Sequence, residues 1–241
     1  MLDPPVKPAS VRNRVLASLP PRDVELLAPY LHPIEFKVRH VFFEAHRPIE
    51  TVVFPEAGVA SVVATTESGR SIEVGIIGNE GVIGVPVIFG QTLTPYESYA
   101  QIAGHGFEME AKRLWTAMKQ SWPMADVLLK FAYAFLVQVT HSALANSRFT
   151  IEERLARWLL MAHDRYEGDD VPLTHEFLSM MLGTRRASVT EALHMLQARD
   201  LIRATRGHVQ IWDRRGLEKC AGSCYGAPES EVAQAEHPIG V

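Results

Sequence analysis

Residues 173–202 read LTHEFLSMMLGTRRASVTEALHMLQARDLI, and this stretch decides the fold of the C-terminal part of the chain. Its first half opens on Thr174, a residue type that caps helices, and closes on Gly183, a residue type that ends them. The apolar residues between them share one helical face: Phe177, Leu178, Met181 and Leu182. A short helix is therefore predicted between the threonine and the glycine.

A second helix is predicted directly after the glycine. Thr184 is suited to cap it, and its buried stripe is formed by Val189, Leu193 and Leu196, which recur at helical spacing. Two short helices joined by a tight glycine turn form a helix-turn-helix.

The opposite face of the second helix is polar and carries Arg186, Ala187, Thr190, Glu191 and His194. The planar fork of an arginine matches the two acceptors on the major-groove edge of guanine, and a glutamate can accept a hydrogen bond from the amino group of cytosine. Arg186, Ala187, Thr190 and Glu191 are therefore predicted to contact DNA bases.

A wing is predicted after the second helix. Two β-type runs, residues 201–204 and 209–212, flank a turn that contains Arg206 and His208. Basic side chains at the tip of such a hairpin are placed to contact phosphates. The predicted winged helix-turn-helix thus spans about residues 171–212.

The charge distribution agrees with one nucleic-acid-binding face. The whole chain has a formal net charge of −4, but residues 184–215 hold seven arginines against three acidic residues. A local concentration of arginine on a neutral-to-acidic protein is typical of contact with phosphate through one surface.

The remainder predicts an α+β protein with a jelly-roll-like antiparallel β-roll at the N-terminus. Residues 59–64 and 71–77 are β-type runs on either side of a glycine-containing turn, and further glycines at 78, 81, 84 and 90 disfavour a long helix there. A long helix then follows Pro123. Its seam alternates in steps of four and three residues: Met124, Leu128, Phe131, Phe135, Gln138, Ser142 and Ala145.

The seam has two interpretations. A coiled-coil-like spacing favours a dimerisation helix in which Leu128, Phe131, Phe135, Gln138 and Ser142 face a second copy. The alternative is a helix that packs on its own β domain.

Several function classes find little support. The motifs H-E-x-x-H, G-x-S-x-G and the Walker phosphate loop are missing, so no enzyme activity, catalytic residue, metal site or cofactor is predicted. Cys220 and Cys224 are the only cysteines, too few for a zinc site or a disulfide framework. No unbroken apolar run reaches membrane-spanning length and the first ten residues do not resemble a signal peptide, so a cytoplasmic protein without a membrane partner is expected.

The chain resembles a known family in both halves. The stretch quoted above, with its wing, is similar to the C-terminal domain of the Crp/Fnr bacterial transcription regulators, and residues 52–90 resemble their cyclic-nucleotide-binding-like sensor domain. The resemblance implies a β-roll at 1–119, a dimerisation helix at 120–147 and a winged helix-turn-helix at 148–219. It also implies a homodimer that binds double-stranded DNA and contacts RNA polymerase. The composition of the end of the chain predicts a disordered tail at 220–241.

The resemblance assigns roles to individual residues. Arg186 falls on the family's guanine-contacting arginine. The positions expected to touch phosphate, or both phosphate and bases, are Thr174, Thr184, Arg185, Ser188, Arg206 and His208. Ala187 stands where many members have a base-contacting glutamate, and Glu191 where some have a second arginine, so the usual family operator is not expected.

The sensor half departs from the cyclic-nucleotide members, which carry a Gly-Glu-Leu-type turn and an Arg-Ser pair. Here Val82 and Gly84 lie in the first element, and Glu97 and Ser98 replace the second. A carboxylate in place of the arginine repels phosphate, so this degenerate pocket is not expected to bind cyclic AMP. The effector is unknown. Two alternatives stay open: a regulator without a small-molecule effector, and a cupin-like metal-binding enzyme, whose His-x-His pair is missing.

Overall fold

The structure is a computed structural model, and it describes residues 11–226. These residues form two compact units. Residues 11–62 and 77–133 form the first, and residues 63–76 and 134–226 form the second. The division falls inside the long helix and inside a β-hairpin, and it does not follow the predicted boundaries at 119 and 147.

The first unit is built on an antiparallel sheet. The strands of this sheet, of which β3 and β4 extend into the second unit, are β1 (His32–Phe36), β2 (Val41–Phe43), β3 (Thr51–Thr65), β4 (Ser71–Ile77) and β5 (Tyr96–Glu110). The strand order is β1-β5-β3-β4, and β2 also pairs with β5. The helices of the first unit are α1 (Arg14–Ser18), α2 (Pro21–Leu27), α3 (Val85–Ile88), α4 (Ala111–Gln120) and the first half of α5 (Trp122–Arg148). The predicted α+β class, with an N-terminal antiparallel sheet and a long helix, is confirmed.

A buried carboxylate holds the start of the described chain on this sheet. Glu56 accepts hydrogen bonds from the backbone N–H groups of Arg12 and Asn13, at 2.9 Å for the shortest bond to each. The Asn13 side chain caps α1 by accepting from Leu16 N and donates to the backbone oxygens of Pro55 and Gly81. Both side chains are buried, and these bonds offset the cost of removing them from water.

The long helix α5 corrects the prediction for its seam. Phe131 packs so closely on Gly81 that a methyl group there would lie 2.1 Å from the ring, and Phe135 packs in the same way on Gly75 at 2.8 Å. Gln138 accepts from Ile76 N at 2.7 Å and donates to Ile76 O at 3.1 Å. A side chain fully engaged with its own chain cannot also form an interface with a second copy.

The five seam residues named for dimerisation, Leu128, Phe131, Phe135, Gln138 and Ser142, are all buried in the protomer. Their assignment to a dimer interface was therefore wrong, and the alternative interpretation describes this face of the helix. The spacing was right, but a buried stripe looks the same whether its own chain or a second chain covers it.

The opposite face of α5 is apolar and exposed. It presents Leu129, Tyr133, Leu136 and Leu144, at steps of four, three and eight residues. By length and composition alone the helix is apolar enough to cross a membrane, since its mean hydropathy reaches 1.4 in a window that is one third buried. A helix that is apolar on both sides needs a second partner besides its own sheet.

The second unit contains the end of α5, the outer part of the β3–β4 hairpin and the C-terminal elements. These elements are α6 (Ile151–His163), β6 (Asp170–Pro172), α7 (His175–Met181), α8 (Arg186–Ala198), β7 (Ile202–Thr205), β8 (His208–Ile211) and α9 (Arg214–Ala221). A 3-10 turn follows at Gly222–Cys224 and Tyr225 donates to Asp164 at 2.7 Å, so the predicted disorder was wrong for residues 220–226. The remainder of the predicted tail lies outside the described residues.

Candidate nucleic-acid interface

The first helix of the candidate site, α7, forms as its sequence predicts. The Thr174 hydroxyl accepts a hydrogen bond from Phe177 N at 3.2 Å and so satisfies one of the free N–H groups at the helix start. Phe177, Leu178 and Met181 are buried. Gly183 then adopts a φ of +56°, in the left-handed region that glycine enters without strain, and the chain turns into α8.

The start of α8 differs from the prediction by one residue. Arg185, not Thr184, is the N-cap, and it makes no side-chain capping bond. Thr184 N donates to Ser179 O at 2.9 Å and so belongs to the end of the preceding turn. The predicted cap at Thr184 was wrong because the turn after Gly183 uses one residue more than a minimal connection. Arg186 is consequently the first residue of the helix.

The two faces of α8 have the predicted division. Val189, Leu193 and Leu196 are at most 1% exposed and attach the helix to the domain. The other face holds Arg186, Ala187, Glu191 and His194, all exposed, with Ser188 and Thr190 half-buried at its edges. The structure thus brings the predicted base-contacting side chains together on one surface.

Arg186 has a partner that the sequence analysis missed. Its Nη2 lies 3.1 Å from Oε2 of Glu176 on α7, and both side chains are more than half exposed. An exposed ion pair of this kind contributes about 0–1 kcal/mol, so a guanine edge can displace the glutamate at small cost. Only the packing of α7 on α8 brings position 176 to position 186, and local sequence spacing does not reveal it.

Thr190 is also engaged before any ligand arrives. Its hydroxyl donates to Arg186 O at 3.0 Å and lies 3.3 Å from Nδ1 of His175. His175 is exposed beside the half-buried Thr190. His175 is therefore a further polar group at this surface, and it was not among the predicted site residues.

The wing has three strands where two were predicted. The order is β6-β8-β7, with Thr205 paired to His208 beside the turn and Pro172 paired to His208 on the other side. Arg206 is exposed at the turn, and His208 Nδ1 lies 3.4 Å from Asp170 Oδ2. The added strand pairs with β8 at the base of the hairpin, and Arg206 stays exposed at the tip.

Helix α6 supports the helix-turn-helix from behind. Thr150 and Glu153 form a reciprocal capping box at its start. Trp158 Nε1 on α6 donates to Glu73 Oε1 at 2.7 Å, and both side chains are buried. A cavity of about 20 Å³ lies beside this bond, lined among others by Ser142, Arg154 and Arg157, which is room for one water molecule.

The predicted effector-pocket residues lie in the first unit. Val82 is fully buried, and Gly84 precedes the short helix α3. Glu97 and Ser98 lie on β5, where the buried Ser98 hydroxyl donates to Ser61 O at 2.9 Å. Ser61 in turn donates to Gln101 Oε1 at 2.7 Å. The serine hydroxyls are thus used to hold strands together.

Among residues 11–226, no group of three or more His, Cys, Asp or Glu side chains is placed to hold a metal ion. The two cysteines are free; Cys220 is half-buried and Cys224 is buried. Burial, reinforced by a hydrogen bond to Glu152, raises the pKa of the Cys220 thiol to about 11, so this group stays protonated near neutral pH.

Comparison with known proteins agrees with this geometry. Residues 153–220 match the sequence model of the Crp-like helix-turn-helix domain. No curated protein matches the chain in sequence.

Solved structures match the chain over most of its length. FixK2 from Bradyrhizobium japonicum is 17% identical with a TM-score of 0.69, over 80% of this chain and 98% of that one. TTHB099, a transcriptional regulator of the CRP family from Thermus thermophilus, is 20% identical with a TM-score of 0.66, over 80% and 99%. The c-di-GMP responsive global regulator CLP from Xanthomonas campestris is 19% identical with a TM-score of 0.61, over 79% and 98%.

Proposed function

We propose that this chain, a Crp/Fnr-type transcription regulator with a helix-turn-helix DNA-binding domain, binds a pseudo-palindromic operator as a homodimer. The observation that carries the proposal is the exposed polar face of α8, presented by a helix whose other face is fully buried. In a dimer, two such helices would enter successive major grooves about 34 Å apart.

Within each half-site, the predicted DNA-contacting residues fall into two groups, one placed to contact bases and one placed to contact phosphates. Arg186 begins α8, so its side chain extends ahead of the helix toward base edges, with Ala187, Thr190 and Glu191 following on the same face. Thr174, Thr184, Arg185 and Ser188 surround the helix starts, where phosphates would lie, and Arg206 and His208 extend the contact from the wing. Ala187 and Glu191 favour an operator sequence that differs from the usual operator of the family.

The proposed dimer uses the exposed face of α5. Leu129, Tyr133, Leu136 and Leu144 form an apolar stripe whose side chains are 37–58% exposed in the described chain. A second copy of the same helix, running alongside it, would bury the stripe through a self-complementary interface. This assignment replaces the seam residues, which serve the protomer.

The sensor domain is proposed not to bind cyclic AMP. Val82 offers no acceptor for a ribose hydroxyl, and the Glu97 carboxylate would repel a cyclic phosphate. The Ser98 hydroxyl already donates to Ser61 O. Any effector would act by changing the populations of two arrangements of the protein. We also propose that the protein acts in the cytoplasm, contacts RNA polymerase and has no enzyme activity.

The experiment that tests the proposal is selection of bound DNA from a random pool by the full chain. The expected product is a two-fold related sequence with half-sites about one helical turn apart. Light scattering of the free protein is expected to give the mass of two chains. If the selection enriched no DNA sequence, the proposal would be contradicted. If the protein were a monomer that sedimented with lipid vesicles, the α5 stripe would bind a membrane instead of a second copy. Calorimetry with cyclic AMP is expected to show no heat of binding.

A further inference from the structure

The outer part of the β3–β4 hairpin belongs to the same compact unit as the helix-turn-helix. Ile72 on β4 packs against the turn between the two helices, where a methyl group on Gly183 would lie 3.0 Å from Ile72 Cδ1. Its neighbour Glu73 accepts the hydrogen bond from Trp158 on α6. The hairpin is therefore held against the domain at two points, the turn that precedes α8 and helix α6.

The tip of this hairpin is exposed and carries groups that bind phosphate. Thr66 N donates to Arg70 O, Gly69 N donates to Thr66 O, and Arg70 N donates to Thr66 Oγ1, so the turn is closed by its own bonds. The hydroxyls of Thr65, Thr66, Ser68 and Ser71 lie around it. In the part of the chain that the structure describes, the exposed Arg70 guanidinium has no ion-pair partner.

The distance from the tip to α8 is short. Strand residues rise by about 3.3 Å, so the Arg70 Cα lies within about 7 Å of the Ile72 Cα. Ile72 itself touches Gly183, two residues before the Arg185 cap of α8. An extended arginine side chain attached here reaches the surroundings of the helix start, and phosphates flank that start when such a helix enters a major groove.

We propose that the hairpin tip is an additional DNA-contacting element in which Arg70 binds a backbone phosphate. This inference rests on the proposed function, since it requires α8 to lie in the groove. Contacts to phosphate carry no sequence information, so the tip adds affinity for all DNA and leaves the operator preference unchanged. Glu67, at the same tip, acts in the opposite direction because its carboxylate repels phosphate.

The test measures binding of the full chain to its selected operator and to random DNA at several salt concentrations. Arg70→Ala is expected to weaken both about 3- to 10-fold and to make the salt dependence shallower by about one counterion per subunit. Arg70→Lys should keep most of the affinity, and Glu67→Gln should strengthen both complexes. The matched control is Arg22→Ala, which removes the same charge from an exposed position on α2 and should leave binding close to wild type.

A double-mutant cycle tests whether docking positions the arginine. In an Ile72→Ala background, the loss of DNA affinity caused by Arg70→Ala is expected to shrink. An unchanged loss would show that the packing of Ile72 on the turn before α8 does not position Arg70. If the Arg70→Ala variant bound DNA as tightly as the Arg22→Ala variant and with the same salt dependence, this proposal would be wrong. DNA binding by α8 would not be affected by that result. If the wild-type chain bound no DNA, the proposed function and this inference would fail together.

Discussion

Helices α5 and α8 each bury one stripe in the protomer and expose the other, but their exposed faces have opposite chemistry. The free face of α8 carries arginine, threonine, glutamate and histidine, whereas the free face of α5 carries leucine and tyrosine. The buried stripes are largely apolar, with Gln138 and Ser142 as the polar members on α5, and they do not identify a partner. The exposed face of a helix, not its buried stripe, therefore indicates what it binds: hydrogen-bonding groups fit DNA, and apolar groups fit a second apolar surface.

The largest effect is expected on the buried face of α5. Phe135→Asp would place a carboxylate against Gly75 and remove a packed ring, at an expected cost of more than about 3 kcal/mol in the free energy of unfolding. Urea unfolding followed by circular dichroism measures it. If the variant were as stable as the wild type but monomeric, the buried face of α5 would have to be part of the dimer interface.

The exposed face of α5 should respond in the opposite way. Tyr133→Asp combined with Leu136→Asp would leave the protomer folded, because both side chains are exposed, but would place four carboxylates in the proposed interface. Association should weaken by about 2 kcal/mol or more, measured by sedimentation at several concentrations. Tyr133→Phe with Leu136→Met is the control that keeps the surface apolar. Unchanged association of the charged variant would exclude this stripe as the interface.

A smaller effect is expected at Gln138. Gln138→Leu keeps the side-chain size but leaves Ile76 N–H and C=O without their partners, and an unpaired buried group costs about 1–3 kcal/mol. The loss should appear in thermal unfolding, with association unchanged. A weaker dimer at wild-type stability would show that the two faces of α5 are not separate.

The smallest effect is expected from the ion pair that joins α7 to α8. Glu176→Gln would release Arg186 from an exposed ion pair worth about 0–1 kcal/mol, so DNA affinity should rise by no more than about fivefold. Fluorescence anisotropy with labelled operator measures it. A large loss of affinity would mean instead that Glu176 orients Arg186 for binding.

The parts of the molecule that could be predicted are those governed by local sequence. The Thr174 cap, the Gly183 turn, the stripe of Val189, Leu193 and Leu196 and the hairpin at 59–77 depend on neighbours in the chain, and the structure contains them all. The third wing strand, the α5 stripe and the ion pair of Arg186 with Glu176 depend on residues brought together by folding. Helical spacing gives the face of a residue but not the surface opposite it, which is why the seam was assigned to the wrong partner.

Helix α8 is proposed to contact bases while the wing contacts phosphate, and two alanine variants separate these roles. Binding is measured to the selected operator, to its single-base variants and to random DNA. Arg186→Ala should cost about 1–3 kcal/mol on the operator and relax the preference mainly at one base pair per half-site. Arg206→Ala should weaken all sequences alike and make the salt dependence shallower by about one phosphate contact per subunit. If Arg186→Ala weakened binding to the operator and to random DNA by the same factor, Arg186 would not contact bases and the proposed role of α8 would be wrong.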